Sequence, residues 1–461
     1  MNLLVMKSRV TKTLLLISFL TATSFAFSRE VESTRPNVVL IISDDQGWGD
    51  YGFMGHDTIQ TPHLDQLARR SLLFERGYVA SPLCRPSLAS IVTGLHPHQH
   101  GVCANDVSPA RKLARDKENR PVVESFHRHT SLVQTLVDQG YLAFQSGKWW
   151  EGSWRDGGFT HGMTHGDPVK GGRHGDVGLK IGRTGMKPAL DFIDNAMAEE
   201  KPFFVWYAPF LPHTPHNPPS KILEKYQSPR RAANVAKYGA MCTWFDETCG
   251  ELLHHLDRRS LTNNTIILYV CDNGWAPVDR SADNPEGWWP DYAPRSKGSP
   301  FEKGIRTPIM ISWPGHVDPK RAPELASSID LMPTVLRACR IEPPANLPGL
   351  DLLNETARKN RDAIFGASYS IHNMMPGDPA STLQYRWCIE GNWKLLLRSH
   401  GVDTTRYITV HQWDKIPVRL YNLQEDPNEQ MNLAGENKEL VRRLSQRIEA
   451  QIPLKSQTRN R

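Results

Sequence analysis

At 461 residues, with 39% hydrophobic and 23% charged side chains, the chain can bury a large core and still carry a smaller second unit, which excludes a peptide-scale module. Its formal charge of +6 is mild, and three of the basic residues, Lys7, Arg9 and Lys12, lie near the start with no acid among them. The remainder therefore offers no strongly basic face for nucleic acid, although a weakly basic surface suits an anionic substrate.

Residues 7–28 read as a secretory leader: a basic start, the apolar run LLLISFLTATSFAF, and the small residues Ser24, Ala26 and Ser28 for cleavage. Export to the periplasm or the extracellular space is expected. No later segment is long and apolar enough for a membrane span, and no cysteine ends the leader to take a lipid anchor.

The runs NVVLII (37–42), YLAFQ (141–145), FFVWY (203–207), TIILYVC (265–271) and PIMISW (308–313) are continuously apolar, as suits strands covered on both faces. Between them SLVQTLVDQG, MKPALDFIDNAMAEE and AKYGAMCTWFDETCGELLHHLDRRS repeat apolar residues at helical spacing. This alternation predicts an α/β domain with a large, mostly parallel sheet flanked by helices, whose ligand site lies beyond the carboxyl ends of the strands. SADNPEGWWPDYAPRSKGSPFEKG reads as a long loop. After it RWCIEGNWKLLLRS looks like a hairpin, LYNLQEDPNEQMNLAG like a strand and turn, and ENKELVRRLSQRIEAQI like a terminal helix. The domain organisation expected is a catalytic α/β unit over 36–354 and a smaller α+β subdomain over 355–461.

Polar residues follow the strands in a repeated way. Asp44 and Asp45 come directly after the first, and Asp272, Asn273 and Gly274 directly after the TIILYVC run. Adjacent carboxylates repel, and a cation is one reason to tolerate them; a solvated turn with helix-capping acids is the other. Two strand ends bearing only oxygen ligands favour Ca²⁺ or Mg²⁺ over zinc. Lys148 follows the YLAFQ run and His213 the FFVWY run, each readable alone as a solvated charge or a satisfied polar group. Lys297 lies in the long loop. Seven cysteines, an odd number for an exported chain, leave at least one free or modified. Cys84 opens CRPSLASIVTG (84–94), a short helical run closed by Thr93 and Gly94, and taken alone would be a structural thiol or half a disulfide. Cys271, within an apolar run, reads as a buried thiol.

NVVLIISDDQGWGDYG, CRPSLASIVTG, SGKWW, PHTP, CDNG, FEKGIRTPIMISWPG, SSIDLMPTVL and LYNLQEDPNEQMNLA occur in an order that resembles the type I sulfatases across most of the chain. The resemblance implies an alkaline-phosphatase-like fold and a Cys84 oxidised by a sulfatase-maturing, formylglycine-generating enzyme. The hydrated formylglycine would attack the sulfur of a sulfate ester from an accessible segment. It further implies Ca²⁺ held by Asp44, Asp45, Asp272, Asn273 and the modified Cys84, sulfate contacts from Lys148 and Lys297, and His213, as imidazolium, near the leaving-group oxygen. A sulfated carbohydrate is the expected substrate, with Trp149, Trp150, Trp154, Trp288 and Trp289 available to stack sugars. Two positions depart from the family pattern: Leu88 stands where an arginine is usual, and Trp150 where a histidine is. The other readings are a phosphoester or phosphonate hydrolase on the same fold, and a non-catalytic binder of sulfated glycans.

Overall fold

The computed structural model describes residues 35–107, 112–166, 176–229, 231–276, 295–371, 374–399 and 416–454. The leader at 1–28, Trp288 and Trp289 lie outside the described residues. Nine strands form the main sheet: β1 (Asn37–Ser43), β2 (Leu72–Tyr78), β3 (Leu142–Gly147), β4 (His161–Gly162), β5 (Phe203–Ala208), β6 (Thr265–Cys271), β7 (Arg306–Ser312), β8 (Lys320–Ala322) and β9 (Ala326–Ser327). Their order is β4-β3-β5-β1-β6-β7-β2-β8, with β9 also on β2. Neighbours run parallel except that β7 opposes both β6 and β2.

The apolar runs are continuous because the sheet is covered on both faces. Val38, Leu40 and Ile42 of β1 pack with Leu88, Ile91 and Val92 of the Cys84–Thr93 helix and with Leu331 and Val335 of the Leu331–Ala338 helix. Val39 and Ile41, pointing the other way, pack with Phe192 of the Lys187–Ala198 helix and with Phe245 and Leu252 of the Ala233–Arg258 helix. The expected α/β architecture is therefore present, with alternate side chains of one strand feeding two separate cores.

A second, antiparallel sheet joins β10 (Ala363–Tyr369), β11 (Leu383–Glu390), β12 (Trp393–Arg398) and β13 (Val418–Asn422) in sequence order. One face takes Leu444 and Ile448 of the terminal Lys438–Gln451 helix. The other places Trp387, Ile389 and Leu396 against Tyr78, Phe301 and Ile305, so the small sheet packs on the β2 side of the large one. Among the described residues no helix is long and apolar enough to cross a membrane.

Candidate active site

Register brings the site residues together. β1 lies between β5 and β6, with Ser43 opposite Cys271 and Ile41 opposite Tyr207. The residues that leave these strands, Asp44–Asp45 and Asp272–Asn273, must then emerge side by side. Asp272 N–H donates to the Ser43 carbonyl (3.0 Å) and Asp45 N–H to Asp272 Oδ1 (3.1 Å). Gly147 ends β3 opposite Ala208, with φ 81° and so little room that a Cβ would lie 1.8 Å from the Ala208 carbonyl oxygen. Only glycine permits that turn, and Lys148, the next residue, enters the site from it.

The Cys84–Thr93 helix is buried along its whole length. Pro86 falls in its first turn, where no N–H is needed, and Gly94 caps its end in a left-handed conformation (φ 67°). Cys84 Sγ lies 3.8 Å from Asp44 Oδ1, 3.7 Å from Asp45 Oδ1 and 3.1 Å from Lys297 Nζ. The accessible cysteine expected from the sequence is corrected: Cys84 is only 1% exposed. Burial pushes its thiol well above the ordinary range, despite the opposing pull of Lys148 and Lys297, so it holds its proton and is a poor nucleophile as a thiol.

The lysines are fixed by the acids. Lys148 Nζ donates to Asp44 Oδ1 (2.7 Å), and Lys297 Nζ to Asp45 Oδ1. Lys297 arrives because its own N–H bonds the Trp275 carbonyl (3.0 Å) and the N–H of Gly298 bonds the Pro82 carbonyl (2.9 Å). Burial opposes the charge on each lysine, yet the surrounding carboxylates outweigh it and raise both above the usual value. Asp44 is pushed up by burial, against Lys148. For Asp45 burial is outweighed by Lys297, His213 and Lys148, which hold it well below the usual carboxylate range.

His213 Nε2 faces Asp45 Oδ2 at 3.3 Å, while its Nδ1 donates to the Thr214 carbonyl (2.6 Å). Both ring nitrogens thus meet acceptors, which favours the imidazolium, but burial drives the ring well below its ordinary pKa and Asp45 only partly offsets this. Arg183, not singled out in the sequence, positions this loop by donating to the carbonyls of Phe210 (2.9 Å) and His213 (2.9 Å).

Asp44, Asp45, Cys84, Lys148, His213, Asp272, Asn273 and Lys297 therefore meet at one place. The donors fit a hard cation: beside Asp44 and Asp45, Asp272 Oδ2 and Asn273 Oδ1 are buried oxygens with no hydrogen-bond partner. Asp44, Asp45, Cys84 and His213 also offer ligand atoms within 4.8 Å of one another.

The two departures have structural accounts. Leu88, 5% exposed, belongs to the apolar cluster with Ala89, Ile91 and Val92. Trp150 is buried with its ring 5.8 Å from Lys148 Nζ. Trp149 is no sugar platform: it lies in the core, edge-on to Phe159 and Trp206, and Trp154 is covered by Arg155. What the sequence concealed is Arg85, adjacent to Cys84 and paired with Glu151; a charged side chain in a buried helix was its only signal.

A family model for sulfatases matches residues 36–341, and one for the C-terminal part of N-sulphoglucosamine sulphohydrolase matches residues 296–453. Human arylsulfatase A is 28% identical over 454 residues, covering 87% of this chain and 83% of that protein. The N-acetylgalactosamine-6-sulfatase of Canis lupus familiaris is 28% identical over 450 residues, covering 87% and 82%. Among solved structures, one from Bacteroides thetaiotaomicron, described for the metabolism of multiple glycosaminoglycans, has a TM-score of 0.71 at 22% identity, over 90% of this chain and 99% of its own. The phosphonate monoester hydrolase of Agrobacterium radiobacter has a TM-score of 0.64 at 17% identity, over 91% and 95%. Likeness at those identities concerns the fold, which is that of alkaline phosphatase.

Proposed function

Because this chain belongs to the sulfatase family and is a sulfuric ester hydrolase, we propose that it removes sulfate from a sulfated carbohydrate. We assign it a formylglycine derived from Cys84 and a Ca²⁺ ion held by Asp44, Asp45, Asp272 and Asn273. The observation that carries the metal assignment is the pair of orphaned buried oxygens, Asp272 Oδ2 and Asn273 Oδ1, next to two further carboxylates. Oxygen donors of this kind suit Ca²⁺, with Mg²⁺ the smaller alternative. The sugar assignment rests on the relatives named for N-acetylgalactosamine 6-sulfate. The leader over 1–28 supports export, and the catalytic unit is assigned to 36–354 with a smaller subdomain over 355–461.

When bound, the metal would offset sulfate charge and polarise its oxygens, and a hydrated formylglycine at position 84 would supply an oxygen nucleophile that can later release the sulfate. Lys148 and Lys297, kept cationic by the acids around them, bind and orient the sulfate oxygens. His213, its ring fixed by the Thr214 carbonyl, presents Nε2 to the departing alkoxide and acts as its proton donor in the imidazolium form, which the Asp45 carboxylate favours and burial opposes. Arg183 keeps that ring in place through the backbone on which it sits.

Thermal melting tests the metal assignment. Calcium is expected to raise the melting temperature of the protein, and Asp272→Ala to abolish the rise. An unchanged wild-type curve, or a rise that survives the substitution, would contradict it. A parallel screen of sulfated and phosphorylated sugars is expected to show turnover of the sulfates; preference for the phosphates would favour the phosphoester reading instead.

A further inference from the structure

We propose that the buried ion pair between Arg85 and Glu151 is the positioning clamp of the reaction centre, fixing the residue at 84 relative to Lys148. Arg85 follows Cys84 directly and is 1% exposed. Its guanidinium grips Glu151 with two parallel bonds, Nε to Oε1 (2.6 Å) and Nη2 to Oε2 (2.9 Å). Nη1 donates to the Asn105 carbonyl (3.2 Å) and to Asn119 Oδ1 (2.9 Å), and Arg85 N–H donates to Asn105 Oδ1 (3.2 Å). Glu151 lies three residues beyond Lys148 on the same strand-end loop. Its backbone carbonyl is itself tied down by His127 Nε2 (2.8 Å) and Trp149 Nε1 (3.1 Å).

Desolvating two charges is costly, and a well-packed apolar pair would stabilise a fold as well or better. What a fork-to-fork pair adds is geometry, because two parallel bonds fix both distance and plane. Here the geometry fixed is that of the two elements converging on Asp44: Lys148 Nζ at 2.7 Å and Cys84 Sγ at 3.8 Å from the same Oδ1. Leu88 lies in the apolar cluster, so within the Cys84–Thr93 helix the charged anchor is supplied by Arg85. A displacement of about 1 Å between a nucleophile and a substrate-holding group can cost about 100-fold in rate. Arg85 and Glu151 are therefore positioning residues that act through Cys84 and Lys148.

This inference rests on the sulfatase reading, and the test separates the two. The full chain, matured in its native host, is compared with Glu151→Gln and Arg85→Lys. Three quantities are read: turnover of 4-nitrophenyl sulfate per formylglycine, the formylglycine content of the peptide carrying position 84, and the rise in melting temperature caused by inorganic sulfate. Glu151 is remote in sequence from the segment that is modified, so Glu151→Gln is expected to leave formylglycine content unchanged. It is expected to lower kcat by about 10- to 100-fold and to shrink the sulfate-induced rise. Arg85→Lys keeps the charge, loses the fork and is expected to change in the same direction. The clamp is overturned if folded Glu151→Gln melts lower while kcat per formylglycine and the sulfate-induced rise match wild type. It is overturned equally if the Arg85→Lys defect is wholly a loss of formylglycine. A wild-type protein without turnover, whose sulfate-induced rise still depends on Glu151, would remove the sulfatase reading and retain the clamp.

Discussion

Asp45 takes Lys297, Asn273 and His213 on one carboxylate, and it does so from a left-handed backbone with φ 62°. A non-glycine residue there carries strain of about 1–3 kcal/mol, tolerated where the surrounding structure over-determines it. Strand pairing on one side and the carboxylate contacts on the other supply that constraint. His213 shares the carboxylate, and its proposed task gives a discriminating outcome. His213→Ala is expected to slow a sugar sulfate, whose alkoxide leaves poorly, about 100-fold or more, and an activated aryl sulfate much less. Equal losses on both substrates, measured as kcat/KM, would make the ring merely structural. At this scale the residues at strand ends were legible because a polar residue directly after an apolar run has its position set by the strand. Arg85 and Arg183 were not, since nothing in sequence order states that their side chains turn inward to a distant carboxylate or loop.

Elements were legible where burial on both faces left continuous apolar runs, as in β1, β5 and β6. β2 was hidden because its sequence LLFERGY turns polar midway, where the pairing with β7 shifts register between Phe74 and Gly77. β8 and β9, three and two residues long, are too short to show any period. The loop after β1 is tied to the Ala233–Arg258 helix by a buried pair: Tyr238 Oη and the Gly47 N–H (3.0 Å) both donate to Asp50 Oδ2. Burial, only partly offset by those two bonds, pushes the Asp50 carboxyl up from 3.8 to about 8. A raised folded-state pKa means the stabilisation is complete below 3.8 and is lost as pH rises through about 8. Within that window this one group lowers stability by up to about 1.4 kcal/mol per pH unit. Asp50→Asn keeps the shape and cannot ionise, so its unfolding free energy is expected to fall less steeply than wild type over the same range. Denaturant titrations with identical pH slopes for the two proteins would refute this.

Across the whole molecule, the small sheet holds the loop that delivers Lys297. Lys394 of β12 is buried between Glu302 Oε1 (3.0 Å) and Glu429 Oε1 (2.8 Å), and Glu302 N–H donates to Glu429 Oε2 (2.6 Å). Glu302 begins the short helix five residues after Lys297, and Tyr78 of β2 donates to its other oxygen (3.0 Å). Two carboxylates thus share one ammonium, and burial, against the pull of Lys394, raises Glu429 to about 7. Lys394→Met leaves Glu429 without its cation and Glu302 with only Arg306, 3.7 Å away, and is expected to cost about 3–5 kcal/mol of stability. Glu429→Gln should cost less, because that carboxyl is already close to neutral. A Lys394→Met loss below about 1 kcal/mol would show that the small sheet is held by its apolar face alone. This linkage was invisible in the sequence, where the three residues are far apart and each reads as a surface charge.

In the proposed reaction a buried thiol with little nucleophilic character becomes, once oxidised, the reactive group of a sulfate ester hydrolase. Mass spectrometry of the peptide carrying position 84, from protein made in its native host, tests it most directly. Formylglycine is expected at that position, with Leu88 four residues further on. Complete retention of the Cys84 thiol would contradict it, and would leave a site built from Asp44, Asp45, Lys148, His213, Asp272, Asn273 and Lys297 that binds sulfated ligands without cleaving them.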